Sequence, residues 1–252
     1  MISDPFFYAM AVPAVILGGL SKGGFGGGVS MIGFLLMTLA VPPLQAAAIM
    51  LPILIVMDVV GLIAWRGIYD RRSLIILLPA ALCGIGAGWA AAAFVSNDMI
   101  RLMVGVVALV FVADYGLKGK RRDIAGSHNP RKGAFWGAMS GFTSFICNVG
   151  GPPFQTYMLP LRLDPKLLAG TAIIFFAVVN AIKVGPYLIL GQFSPVNLAT
   201  SAVLLPLAPL ATLVGVKLIK MINPADFYRF TYALMFVAGI KQVWDGSNGL
   251  AG

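Results

Sequence analysis

Two short stretches of this sequence hold the residues whose types and spacing could do chemistry. The first, "GGLSKGGFGGGVSMIGF" at residues 18–34, places Ser21 and Lys22 in a run of glycines inside an otherwise apolar region. The second, "SGFTSFICNVGGPP" at residues 140–153, places hydroxyl and amide side chains before a glycine pair and two prolines. A cation and a flexible backbone are unusual in apolar sequence, so both stretches predict a built site.

The chemistry that these stretches offer is that of an anion site. Residues from Val29 onward are predicted to be helical, and the N–H groups at the start of a helix carry a partial positive charge. Glycines let a ligand approach the backbone, Ser21 adds a hydroxyl and Lys22 adds a full charge. Two half-helix starts facing one another would form a cage of donors for a small oxyanion. The residues predicted to bind it are Ser21, Lys22, Gly23, Gly24, Phe25, Gly26, Thr143, Ser144, Asn148, Gly150 and Gly151.

Close helix packing is the alternative role for any glycine in a membrane protein. We expect packing to be the role of Gly18, Gly19, Gly84, Gly86 and Gly88. Residues 23–28 differ, because five glycines in six positions would destabilise a packed helix. A role in ligand binding is therefore favoured for this run.

Two more charged residues, Asp58 and Lys183, lie near the middle of equivalent apolar segments. Charges inside a membrane usually face a cavity or one another. Two alternatives stay open for Lys183: an ion pair with Asp58, or direct contact with substrate, for which it joins the predicted binding residues. Asp58 is also a candidate proton carrier.

Enzyme and metal functions are disfavoured. An intramembrane hydrolase needs a base, but the single histidine, His128, falls in a basic loop where we expect it to be solvated. Cys83 and Cys147 lack C-x-x-C spacing, and the glycine run matches neither GxxxxGK[ST] nor a strand-framed GxGxxG. We therefore expect no catalytic residue, no metal and no cofactor.

The composition is that of a membrane protein. Hydrophobic residues make up 59% of the chain and charged residues only 11%, against about a quarter charged in soluble domains. The acidic residues are all Asp, and the net charge of +9 is attributed to membrane topology and not to nucleic-acid binding. We expect an all-α, multi-pass protein of the cell (inner) membrane whose partners are the bilayer and a small anion, with a homodimer possible.

The apolar segments occur in two sets with the same order: two short segments, then three long ones. The echo between "VPPLQAAA" and "LDPKLLAG" supports two related halves, a common construction of secondary transporters. We predict one membrane transport domain over residues 1–252, built from a first repeat 6–117, a basic loop 118–132 and a second repeat 133–244. Each repeat is predicted to be a short broken or re-entrant helix pair followed by three transmembrane helices.

The distribution of basic residues favours halves of inverted topology. If each short pair makes no net crossing, fourteen of the sixteen loop lysines and arginines lie on one side. If each pair crosses once, the split is ten to six. Since basic loops collect in the cytoplasm, the first arrangement is favoured, with residues 118–132 cytoplasmic and both termini external.

The two-half organisation, the opening "GGLSKGGFGGG" and the opening "NVGGPP" resemble the sulfite exporter TauE/SafE family over nearly the whole chain. The resemblance implies a secondary transporter of small sulfur oxyanions or organosulfur anions, such as sulfite or a sulfonate, bound at the two glycine-rich openings. Export is favoured because a negative cytoplasm drives anions out. The alternatives are proton-coupled uptake of a small organic anion and a membrane scaffold that transports nothing.

Overall fold

The computed structural model describes residues 1–25, 27–92, 94–118, 127–218 and 224–251, and within these residues every regular element is a helix. The first half comprises α1 (Pro5–Leu20), a π-helical turn (Ser21–Phe25), α2 (Gly27–Thr38), α3 (Pro43–Ala64), α4 (Arg71–Ala91) and α5 (Asn97–Lys118). The second half comprises α6 (Pro130–Cys147), α7 (Gly151–Met158) with a 3₁₀ turn (Leu159–Leu161), α8 (Pro165–Ile189), α9 (Pro195–Leu204), α10 (Leu207–Leu218) and α11 (Pro224–Ala251). The expected all-helical fold is confirmed for the described residues.

Four stretches of the described chain are long and apolar enough to cross a membrane: Pro5–Gly23, Pro43–Ala64, Arg71–Ala91 and Pro165–Ile189. The pair α9 and α10 forms a fifth candidate if it is counted as one span. Each of these stretches meets or approaches the roughly 20 residues that a hydrocarbon core requires. The chain is therefore a multi-pass membrane protein.

Two predicted segments differ from the structure. The first opening segment was expected to be too short to cross, but α1 continues into the π turn and gives a stretch of 19 residues, Pro5–Gly23. The second long segment of the second repeat was expected to be one transmembrane helix, but the chain bends by 45° between α9 and α10. Pro206 lies in this break, and proline removes a backbone donor and clashes with the preceding turn.

Short polar residues fix where several helices begin. Asp4, Asp70, Asn129, Asp164 and Ser194 each accept a hydrogen bond from a backbone N–H in the first turn of the helix that follows. These caps satisfy N–H groups that have no partner within the helix.

The helices of the two halves pack against one another in pairs. The most extensive packing joins α4 to α6 and α5 to α11, while α1 packs on α10 and α3 crosses α8. Glycines allow the backbones to approach: a Cβ at Gly84 would meet the backbone of Ala138, and one at Gly19 would meet Ala211. The packing role is wrong for Gly86, where a Cβ would meet nothing within 4 Å.

One end of the bundle is fastened by Asp70. Its carboxylate accepts from the backbone N–H of Ser73 and lies 2.8 Å from Nε2 of His128, and its own N–H donates to Oγ1 of Thr171. Partial burial works to raise the pKa of Asp70, but the hydrogen bonds from Ser73 and His128 outweigh it and hold that pKa below its usual range. The expectation that His128 is merely solvated is wrong, because this ring ties the start of α6 to the start of α4.

Candidate functional site

A cavity of about 70 Å³ lies where the two glycine-rich openings meet the centres of α3 and α8. Since roughly 10–15 Å³ of such space holds one water, it has room for several waters or a small anion. Its polar lining is Ser21, Lys22, Ser30, Ser144, Asn148, Gly151, Gln155 and Asn180. Its apolar lining is Leu54, Phe154, Leu159, Leu168, Ala169, Ala172, Ile173 and Phe176. The structure thus brings Ser21, Lys22, Ser144, Asn148 and Gly151 of the predicted site together around one space.

Lys22 reaches this cavity from the π turn between α1 and α2. A π turn inserts an extra residue into a helix and commonly occurs at functional positions. The Lys22 ammonium lies 2.5 Å from Oδ1 of Asp58 on α3 and 5.0 Å from the centre of the Phe176 ring. The lysine is buried, so the carboxylate and the aromatic face replace the water that it would otherwise bind.

Asn180 connects Asp58 to the second lysine. The Nδ2 of Asn180 donates to Oδ2 of Asp58 at 2.6 Å, and its Oδ1 accepts from Nζ of Lys183 at 3.1 Å. Only one orientation of the amide satisfies both neighbours. The order Lys22, Asp58, Asn180, Lys183 is therefore a continuous hydrogen-bonded chain across the middle of the protein.

Lys183 donates hydrogen bonds to residues of the second glycine-rich opening. Its Nζ donates to the backbone oxygen of Ser144 at 2.8 Å, to Oδ1 of Asn148 at 2.5 Å and toward Oγ of Ser144 at 3.3 Å. Asn148 ends α6 in the left-handed conformation, with φ at 53°, and its Nδ2 donates to the backbone oxygen of Ala47. Lys183 thus positions the turn that carries Asn148.

Of the two alternatives for Lys183, the ion pair with Asp58 does not form, because the salt-bridge partner of Asp58 is Lys22. Lys183 is completely buried and is not part of the cavity lining. It bears on the cavity through Asn148, Ser144 and Asn180. Its charge therefore acts on the cavity indirectly, through these three residues.

Other predicted residues serve the backbone around the cavity. A Cβ on Gly23 would meet the backbone of Gly215 and Val216, so Gly23 is a close contact with α10. The carbonyl of Gly150 accepts from Oγ of Ser140 at 2.7 Å, and the hydroxyl of Thr143 donates to the carbonyl of Met139. Gly24 and Phe25 lie in the π turn, and Gly26 lies outside the described residues.

The second opening offers fewer helix-start donors than the sequence argument assumed. The helix α7 begins at Gly151, and the next two residues, Pro152 and Pro153, have no N–H group. The N–H of Phe154 donates to the carbonyl of Gly150. Side chains therefore supply most of the polar lining at this opening.

Eleven of the sixteen lining residues were missed as site residues by the sequence argument, and the polar ones among them are Ser30, Gln155 and Asn180. The register of the two halves contains a signal for Asn180. Asp58 lies fifteen residues after Pro43, the first residue of α3, and Asn180 lies fifteen residues after Pro165, the first residue of α8. Asn180 could therefore have been identified from the sequence by its matching position to Asp58.

The buried charges around the cavity have an excess of positive sign. Among the residues whose burial the structure describes, the buried charged side chains are Lys22, Asp58 and Lys183. Two ammonium groups and one carboxylate leave one positive charge at membrane depth. A buried excess charge is costly unless an opposite charge accompanies it, so the cavity is suited to an anion.

A helical bundle that crosses the membrane several times and encloses a charged cavity between its halves has the build of a membrane transporter. The family model described as "TauE: Sulfite exporter TauE/SafE" matches residues 11–242. The chain belongs to the sulfite exporter TauE/SafE family, as its two openings had indicated. Comparison with curated proteins and with solved structures gave no match.

Proposed function

We propose that this protein is a secondary transporter that exports a small sulfur-containing oxyanion, such as sulfite, a sulfonate or a similar organosulfur anion, across the cell (inner) membrane. The observation that carries the proposal is the cavity itself, where both glycine-rich openings meet beside two buried lysines and one aspartate. Family membership supports a sulfur anion as the cargo.

The anion would bind against Lys22 on the face that lines the cavity. Lys22 uses one proton on Asp58, and the ammonium group has two more to donate. The hydroxyl of Ser30, the amide of Gln155 and the start of α7 at Gly151 lie around the same space. Hydrogen bonds to a charged partner are the stronger kind, which favours an oxyanion over a neutral ligand.

We further propose that the two halves are inverted repeats with the site on their pseudo-two-fold axis. Residues at equivalent positions can touch only near such an axis, and the equivalent pair Asp58 and Asn180 are in direct hydrogen-bond contact. The packing pairs agree, because exchange of the halves converts α1 on α10 into α6 on α4. Inverted repeats with a binding site between them are a common transporter design.

We infer from the lining residues that the cavity opens toward the start of α8. Its lining on α8 runs as a helical stripe from Leu168 to Asn180, twelve residues or roughly 18 Å at 1.5 Å per residue. Beyond Asn180, the buried Tyr187 donates from Oη to the backbone oxygen of Phe145 at 2.6 Å and joins α8 to α6. With the basic loops in the cytoplasm, the start of α8 lies on the cytoplasmic side, and the conformation is the one that loads an export substrate.

Energy favours the outward direction. A membrane potential of 100 mV, negative inside, favours exit of a monoanion by about 2.3 kcal/mol. Export then requires no coupling ion. Proton-coupled uptake of an organic anion is the second candidate, and the observation that favours it is the buried carboxylate of Asp58, a potential proton carrier beside the cavity.

Flux measurements in proteoliposomes test the proposal. The purified protein is reconstituted with sulfite, methanesulfonate or acetate inside, and a potassium diffusion potential of either sign is imposed. We expect sulfur anions to leave faster when the interior is negative, without a pH gradient. Flux that requires an imposed pH gradient would favour coupled uptake, and no flux of any sulfur anion would overturn the transporter assignment.

A further inference from the structure

We propose that Asp58 determines the charge selectivity of the cavity, because it cancels one of the two lysine charges and leaves a site matched to a singly charged anion. The proposal rests on the proposed function and names the class of substrate more narrowly: a monoanion, such as a sulfonate with one ionised group, in preference to a dianion. Asp58 does this from behind Lys22, since it is not itself part of the cavity lining.

The hydrogen-bond pattern assigns a positive charge to Lys183. Four oxygens surround its Nζ within 3.3 Å: two from Ser144, one from Asn148 and one from Asn180. Three of the four, the backbone oxygen of Ser144 and the Oδ1 atoms of Asn148 and Asn180, can only accept from it, because the Nδ2 groups of both amides donate elsewhere. An ammonium group has three protons for these acceptors, whereas a neutral amine has two and a lone pair that would face an oxygen.

The same reasoning assigns a negative charge to Asp58. Its Oδ1 accepts from the Lys22 ammonium and its Oδ2 accepts from the amide Nδ2 of Asn180. A protonated carboxyl would have to donate from one of these oxygens, and both face donors. The ring of Phe176 near Nζ of Lys22 favours a cation there as well. The cluster therefore carries one net positive charge.

The charge of the anion decides selectivity here, because the described lining residues other than Lys22 carry no charge that could compensate for a second negative charge. Half of the lining residues are aliphatic or aromatic, and the other lining residues besides Lys22 are neutral. A monoanion makes the cluster neutral overall, while a dianion leaves one negative charge in a medium where uncompensated charge is strongly penalised. At an effective dielectric constant of about 20, the Coulomb interaction between two charges about 4 Å apart corresponds to a tenfold or larger change in affinity.

The test compares two anions whose charges are fixed near neutral pH: methanesulfonate, with one charge, and sulfate, with two. Binding of each to the purified, detergent-solubilised protein is measured by calorimetry for the wild type and for Asp58→Asn, Asp58→Glu and the double variant Lys22→Gln/Asp58→Asn. We expect the wild type to prefer methanesulfonate. Asp58→Asn should raise the affinity ratio of sulfate to methanesulfonate at least tenfold, because the cluster gains a second net charge.

The other two variants separate charge from structure. Asp58→Glu keeps the carboxylate, so its ratio should stay within about twofold of the wild-type ratio. The double variant loses both charges of the pair and should bind both anions more weakly with an unchanged ratio. This variant leaves no charge of the pair unpaired, so it remains informative even if Asp58→Asn alone does not fold. If Asp58 has no influence on selectivity, loss of the Lys22 charge in the double variant would instead lower the affinity ratio of sulfate to methanesulfonate.

The outcomes distinguish this proposal from the proposed function. An unchanged ratio in Asp58→Asn, with both anions still bound, would overturn the role of Asp58 and leave the anion transporter intact. A double variant whose ratio falls at least tenfold below the wild-type ratio would overturn it in the same way. If the wild type binds neither methanesulfonate nor sulfate nor sulfite, the anion site and the selectivity role both fail.

Discussion

Asp58 on α3 and Asn180 on α8 are hydrogen-bonded to each other, with 2.6 Å between Oδ2 and Nδ2. Each lies fifteen residues after the first residue of its helix, α3 or α8. Each is also hydrogen-bonded to a lysine: Asp58 to Lys22, and Asn180 to Lys183. The contact links the lysine of the first opening to the lysine behind the second. Disturbance of either lysine should therefore affect the whole cluster.

The first prediction concerns the stability of this cluster. Lys22→Gln leaves the Asp58 carboxylate buried without its ionic partner, which should lower the free energy of unfolding by about 3–5 kcal/mol. The double variant Lys22→Gln/Asp58→Asn should recover most of that loss. Thermal unfolding in detergent measures both. As a control, Lys241→Gln breaks an exposed pair with Asp245 and should cost less than about 1 kcal/mol.

The second prediction separates packing from ligand contact in the glycine run. Gly23→Ala places a methyl group against the backbone of Gly215 and Val216. Backbone atoms on both sides of this contact would have to move, which costs more free energy than a side-chain rearrangement. We expect a loss of about 2 kcal/mol or more in stability, with anion affinity little changed in the protein that remains folded. Melting temperature and affinity are measured on the same sample.

Gly86 supplies the matched control for Gly23. It lies inside α4, where a Cβ would meet nothing within 4 Å. Gly86→Ala should therefore be neutral or stabilise by about 0.5–1 kcal/mol through helix propensity. If Gly23→Ala instead melts like the wild type but binds the anion poorly, Gly23 is a ligand contact and not a packing residue.

The third prediction is a pH dependence at the end of the bundle. Because the pKa of Asp70 is lower in the folded protein than in the unfolded chain, its contribution to stability is present above its ordinary pKa of about 4. The contribution is lost as the pH falls through the lowered pKa. Asp70→Asn keeps an oxygen that can cap α4 but loses the charge, so it should cost about 1 kcal/mol at pH 7 and progressively less as the pH falls through the lowered pKa. A difference between variant and wild type that is constant from pH 7 to pH 2 would contradict this role.

The fourth prediction concerns orientation in the membrane. With Cys83 and Cys147 replaced by alanine, single cysteines are placed at Ser127 and Ser247, both exposed. An impermeant thiol reagent applied to intact cells should modify position 247 and spare position 127. Permeabilised cells, in which both positions should react, provide the control. The reverse pattern in intact cells would show that the loop 118–132 is external and that the export argument is reversed.

Much of this architecture was readable from the sequence because it depends on local patterns. Apolar length identifies membrane helices, and glycines beside polar residues identified both openings. The partner of Asp58 was not readable, because both lysines lie within plausible reach and the choice depends on which face of α3 the π turn meets. The π turn itself was hidden, since glycines permit several backbone conformations and fix none. The two prolines of α7 were used as helix-start markers, while their missing N–H groups were overlooked.

The central claim, that an anion passes through the cavity beside Lys22, is tested most directly by sulfite efflux from proteoliposomes at a concentration below saturation. The double variant Lys22→Gln/Asp58→Asn removes the lysine and leaves no charge of the pair unpaired. The account predicts an efflux rate at least tenfold below that of the wild type, with a melting temperature within a few degrees. Efflux from the folded double variant at the wild-type rate would contradict it, because the anion would then cross the membrane without the charge that this cavity supplies.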